Sequence, residues 1–145
     1  MRRIVRRLGA AALTVLTTIL LVPAPAQAAP AGLACGSDCW VLSKDAICWE
    51  TEQCPIDLVI KGKIGKGGVA VRFWTEDLRA QAPDDYEPVK EGLLELVEGD
   101  TERSITLRLV ADGVAERDET LRVWLTTGLG EPLAVTVTIL DAEKR

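Results

Sequence analysis

The chain has 145 residues, 17 basic against 22 acidic side chains for a net charge of −5, four cysteines and no histidine. An acidic balance argues against nucleic acid or an anionic membrane as partner, because phosphates are met by clusters of Lys and Arg. The missing histidine removes the most common general base and the most common transition-metal ligand.

In chain order, Arg2, Arg3, Arg6 and Arg7 precede an apolar run over residues 8–22, and Ala26-Gln27-Ala28 offers small residues for cleavage. Together these make residues 1–28 a secretory signal peptide. The run is short for a span and is followed by Pro23 and Pro25, so a secreted product with no membrane anchor after cleavage is expected. The mature chain, residues 29–145, keeps 13 basic and 22 acidic residues, a net −9. It is long enough for one domain with one core.

Cys35, Cys39, Cys48 and Cys54 all fall near the start of the mature chain. In an exported protein an even count reads as disulfides, and four cysteines allow three pairings, among which spacing does not choose. Zinc is disfavoured because the spacings fit neither a ribbon nor a finger. Residues 29–45 read as a Cys-containing N-terminal segment, with 35–44 ordered mainly by its cysteines and Trp40. Residues 46–145 read as the sandwich domain.

From there apolar residues recur with period two. A first strand ends near Trp49-Glu50, and residues 56–61 place Ile56, Leu58 and Ile60 on one face. Residues 69–75 turn Val69, Val71 and Phe73 inward and Arg72 and Trp74 outward. Residues 93–97 bury Leu94 and Leu96, and 104–110 bury Ile105, Leu107 and Leu109. Residues 120–126 bury Leu121, Val123 and Leu125, and 133–140 bury Leu133, Val135, Val137 and Ile139. About seven antiparallel strands with one apolar face each predict an all-β, immunoglobulin-like Greek-key sandwich.

If successive strands alternate in direction, the first, third, fifth and seventh end at one pole. Glu50 follows the first; Glu76 and Asp77 follow the third. Asp112 follows the fifth, with Glu116, Asp118 and Glu119 in the same loop, and Asp141 and Glu143 follow the seventh. The other pole carries Lys61, Lys63 and Lys66 and the uncharged Thr127-Gly-Leu-Gly130. Carboxylates crowded together repel one another, and an all-oxygen cluster suits a hard divalent cation.

These residues resemble the Calx-β domain, an immunoglobulin-like sandwich that binds calcium in the regulatory region of sodium–calcium exchangers and recurs in extracellular adhesion proteins. Thr75-Glu-Asp77-Leu-Arg-Ala80-Gln-Ala-Pro-Asp-Asp85-Tyr86 keeps the spacing of the family's T-x-D-G-T-A-x-x-G-x-D-Y. The stretch from Glu91 through Gly99 to Thr101 resembles its fourth strand and the turn after it. Asp112-Gly-Val-Ala-Glu116-Arg-Asp118-Glu119-Thr-Leu matches D-x-x-x-E-x-D-E-x-F, and Val137-Thr-Ile-Leu-Asp141 matches the closing V-x-I-x-D strand. The resemblance covers about residues 46–143 and implies calcium ligands at Glu50, Asp77, Asp112, Glu116, Glu119, Asp141 and Glu143, with the Val114 carbonyl. Where binding members often carry consecutive aspartates, this chain has Ala111, Gly113 and Ala142, and Leu78-Arg79 replaces Gly-Thr. That implies a partly degenerate site for one ion, or two held weakly, with Arg79 as a cation among the acids.

Three other features carry competing readings. Asp85-Tyr86 reads as structural, a turn aspartate beside a packed tyrosine. The glycine-rich residues 62–68 lack a following Ser or Thr and lead into a strand, so they read as a hairpin turn and not a phosphate loop. Trp74 and Trp124 face outward on adjacent strands, either as a platform for an extracellular protein or glycan partner, or as a cross-strand pair covered by Arg72 and Arg122. The first of these options makes the chain a metal-independent extracellular binding protein. Ser37, Ser43 and Ser104 sit in no nucleophile motif, leaving only paired carboxylates for catalysis, so no enzyme is expected.

Overall fold

The computed structural model describes residues 32–50, 53–113 and 116–141. The signal peptide expected over residues 1–28, Glu143 and the Val114 carbonyl lie outside them. No helix occurs among the described residues. Nine strands run in order: β1 (Leu33–Gly36), β2 (Cys39–Ser43), β3 (Ala46–Trp49), β4 (Cys54–Gly62), β5 (Val69–Asp77), β6 (Gly92–Leu96), β7 (Glu102–Leu107), β8 (Glu119–Thr126) and β9 (Leu133–Leu140). They form two packed sheets, ordered β1-β2-β4-β7 and β3-β9-β8-β5-β6.

Period-two patterning places the core between the sheets. Ile56 and Leu58 of β4, Val71 of β5, Leu107 of β7, Leu121, Val123 and Leu125 of β8 and Val137 of β9 are fully buried. Val69, Phe73, Leu94 and Leu133 are partly buried and pack against them. The expected inward faces are therefore the observed ones.

Four expectations are corrected. Residues 35–44 are not held by their cysteines alone: β1 pairs with β2, and β2 pairs with β4 from Cys39↔Gly62 to Ser43↔Leu58. Leu33, Cys39 and Val41 are buried there, so this segment contributes to the core. The strands are not all antiparallel, because β3 lies parallel to β9, from Ala46↔Val137 to Trp49↔Leu140. The glycine-rich residues 62–68 form no hairpin; they carry the chain from one sheet to the other, since β4 pairs with β2 and β7 while β5 pairs with β6 and β8. Ile64, buried at the middle of that crossing, anchors it to the core. Gly62 has a φ of 92°, and a Cβ there would sit 1.7 Å from the Asp38 carbonyl oxygen, so only glycine fits. The strand expected over 104–110 ends at Leu107, and Leu109 instead makes a single antiparallel bridge to Tyr86.

The cysteines pair as Cys35–Cys39 and Cys48–Cys54. The second bond ties β3 in one sheet to β4 in the other and closes a loop that contains Glu50. Glu50 itself donates its backbone N–H to the Leu140 carbonyl at 2.8 Å, which fixes it beside the end of β9.

Candidate metal centre

Strand direction brings the acids together. β3 runs parallel to β9, β9 antiparallel to β8, and β8 antiparallel to β5. The C-terminal ends of β3, β5 and β9 and the N-terminal end of β8 therefore share one pole. Glu119 opens β8 opposite Ile139, two residues before Asp141. Glu50, Asp85, Glu116, Glu119 and Asp141 line one small cleft there, with Arg117 at its side.

Asp85 was not among the ligand positions expected from the sequence, and the connection from β5 to β6 explains its place. Arg79 and Ala80 both donate backbone N–H groups to the Thr120 carbonyl, at 2.9 Å each. Glu87 donates to the Arg108 carbonyl and Val110 to the Asp85 carbonyl, again at 2.9 Å. This lacing holds the connection against β8 and against residues 108–110. Tyr86 turns into the core, 1% exposed, while Asp85 closes the turn over residues 82–85, donating its backbone N–H to the Gln81 carbonyl at 2.9 Å, and its carboxylate joins the acids.

Asp85, Glu116 and Glu119 each offer a carboxylate oxygen, and these oxygens lie within 4.8 Å of one another. Asp141 is 5% exposed, and one of its oxygens accepts the Glu116 backbone N–H at 2.9 Å. Glu119 has its carboxyl pushed from an ordinary 4.5 up to about 7, first by burial, then by a hydrogen bond to Asp85 and the charges of Asp85 and Glu116, with Arg79 pulling the other way. Glu116 is also raised, first by lost hydration and then by the charges of Asp112, Asp85, Glu50 and Asp141. The cluster thus holds protons against its own repulsion.

Asp77 has a different set of contacts. Its carboxylate accepts a short hydrogen bond from the Tyr86 hydroxyl and the Ala82 backbone N–H at 3.2 Å. It fastens the connection that carries Asp85. Asp112 acts on Glu116 through its charge. Glu76 sits with the tryptophans, accepting the Trp124 indole N–H at 2.7 Å and an Arg122 guanidinium N–H at 3.2 Å.

The raised Glu119 carboxyl sets a pH dependence of stability. The folded state keeps this proton up to about pH 7 and the unfolded chain loses it near 4.5, so folding binds more protons between those values. Stability contributed by the protonated group is complete below 4.5 and is lost as pH rises through 7. Denaturant unfolding in chelator should show wild type less stable at pH 8 than at pH 5, with Glu119→Gln flattening the difference. Equal wild-type stability at both pH values would contradict this.

The Calx-beta domain model matches residues 49–143. The chain belongs to the Calx-beta family. The Calx-beta likeness extends to solved structures. The apo-form Calx CBD1 domain superposes with a TM-score of 0.60 at 23% identity, covering 72% of this chain and 98% of that one. The calcium binding domain CBD12 of CALX1.1 gives 0.58 at 27% identity, with 68% of this chain matched to 42% of that chain. The Calx CBD2 domain gives 0.57 at 18% identity, covering 72% and 87%. The two below a quarter identity speak for the fold alone. No curated protein matches the sequence.

Proposed function

We propose that this chain is a secreted, calcium-binding Calx-beta module that acts as a structural or protein-interaction domain. The observation that carries the reading is the convergence of Asp85, Glu116 and Glu119 in one cleft with Glu50 and Asp141. The donor set fits calcium. Every donor is a carboxylate oxygen, and two oxygens bound to one calcium at roughly 2.3–2.6 Å lie no more than about 5 Å apart, a limit these three satisfy. Calcium supplies positive charge where the carboxylates otherwise repel.

The chain's own residues do the rest. Asp141 holds the Glu116 backbone, Arg79 offsets part of the charge on Glu119, and the Asp77–Tyr86 bond holds the connection bearing Asp85 in place. With Arg79 and Arg117 close by and alanine at 111, one ion of modest affinity is the reading the chemistry supports. Secretion follows from the leader over residues 1–28, and the two disulfides agree with an oxidising compartment. A purely binding role, with no catalysis, is part of the proposal.

Thermal unfolding tests it. For an extracellular-type affinity of about 10⁻⁴–10⁻³ M, about 10 mM calcium should add roughly 1.4–2.7 kcal/mol over chelator. In a domain of this size that raises Tm by about 5–15 °C. An unchanged midpoint would refute the proposal.

A further inference from the structure

Outside the acidic cleft, Trp74 borders a second cleft of about 550 Å³ whose other walls include Pro88, Lys90, Asp77 and Tyr86. We propose that this cleft binds a neutral saccharide, with the Trp74 indole as the stacking surface.

Trp74 and Trp124 stand opposite each other on β5 and β8. Their rings stack with centroids 6.3 Å apart and planes 16° apart. Trp124 is occupied: Arg122 lies over its ring at 5.4 Å and Glu76 takes its indole N–H at 2.7 Å. It serves as the support that holds Trp74 in one orientation. A rigid aromatic surface binds at low entropic cost, since no rotamer has to be frozen when the ligand arrives.

The wall formed by residues 88–90 is fixed as well. Thr75 donates its backbone N–H to the Val89 carbonyl, and Val89 donates its own to the Thr75 hydroxyl oxygen, both at 2.9 Å. That pins residues 88–90 to β5. The cleft is thus formed without a ligand, and its volume lies within the range usual for small-molecule sites, roughly 300–1,000 Å³.

The lining selects the ligand class. A pyranose ring presents a face of C–H bonds, which an indole covers, and a rim of hydroxyls that both donate and accept. Asp77 supplies an acceptor and Lys90 a donor, both lining the same space. Their charges oppose, so neither an anion nor a cation gains from the pair. A basic peptide side chain meets Lys90, and an acidic one meets Asp77. An uncharged polyol meets neither penalty.

The test is an array of neutral oligosaccharides built from glucose, galactose, mannose and N-acetylglucosamine, probed with the mature chain. Tryptophan fluorescence titration with the strongest binder follows. Wild type should bind, Trp74→Ala should weaken binding at least about tenfold, and Lys90→Ala, at an exposed position that leaves the fold alone, about threefold or more. Leu93→Ser, in an exposed residue outside the cleft, should bind as wild type. Silence across the array, undiminished binding by Lys90→Ala and Trp74→Ala, or preference for charged glycans or basic peptides would overturn the proposal.

Discussion

Replacing Asp141 with asparagine should remove the calcium response while leaving the metal-stripped protein as stable as wild type or more so. Asp141 is 5% exposed and lines one cleft with Glu50, Asp85, Glu116 and Glu119. Its oxygen also accepts the Glu116 backbone N–H at 2.9 Å. Asparagine keeps an acceptor for that N–H and deletes one negative charge, which relieves repulsion on Glu116. Alanine deletes both, and the Glu116 N–H loses the acceptor that holds this loop to the end of β9, which lowers stability. The two variants should therefore split: Asp141→Asn folds well without binding, Asp141→Ala folds poorly without binding. Calcium-dependent melting of each in chelator and in millimolar calcium reads the split. A wild-type thermal shift in Asp141→Asn would show that this carboxylate contributes nothing to the site.

The second large effect concerns Asp77, which the family resemblance implies as a ligand and whose contacts give it a second task. Tyr86→Phe removes the hydroxyl that Asp77 accepts, and hydrogen bonds to charged groups contribute about 1.5–3 kcal/mol. Asp77 is exposed and recovers water, so the lower end, about 1.5 kcal/mol, is expected. Asp77→Asn should cost a similar amount, because the same bond weakens. If fastening the connection is its whole role, both variants lower stability alike and change calcium affinity by only a few-fold, through Asp85. Denaturant unfolding and calcium titration of the pair distinguish the roles. Calcium binding abolished in Asp77→Asn but kept in Tyr86→Phe would make Asp77 a ligand.

How far the sequence disclosed this arrangement depends on contrast between the two faces of each strand. Where apolar and polar residues alternate cleanly, as from Ile105 to Leu107 or Val135 to Ile139, strand and inward face were both legible. Over residues 33–43 the contrast fails: Cys39 and Val41 are buried while the alternate positions Trp40 and Leu42 are also apolar, so the strand period is hidden. The bridge between Tyr86 and Leu109 is similarly silent, because it joins residues 23 positions apart with no local signal. Missing that bridge meant missing Asp85. The pole itself was foreseeable, since it needs only strand direction, and Glu50, Glu116, Glu119 and Asp141 do share a cleft. Side-chain commitments were not: Asp77 to Tyr86, and Glu76 to Trp124, depend on distances that a one-dimensional pattern does not carry. The parallel pairing of β3 with β9 was likewise beyond reach, although it is what sets Glu50 beside Asp141.

The most direct test of the central claim is calorimetric titration of the metal-stripped mature protein with calcium, beside Glu119→Gln. Saturation by one ion per chain in the range of about 10⁻⁴–10⁻³ M, with affinity reduced at least about tenfold in the variant, is the predicted result. No binding up to about 10 mM, or binding that Glu119→Gln leaves unchanged, would contradict it.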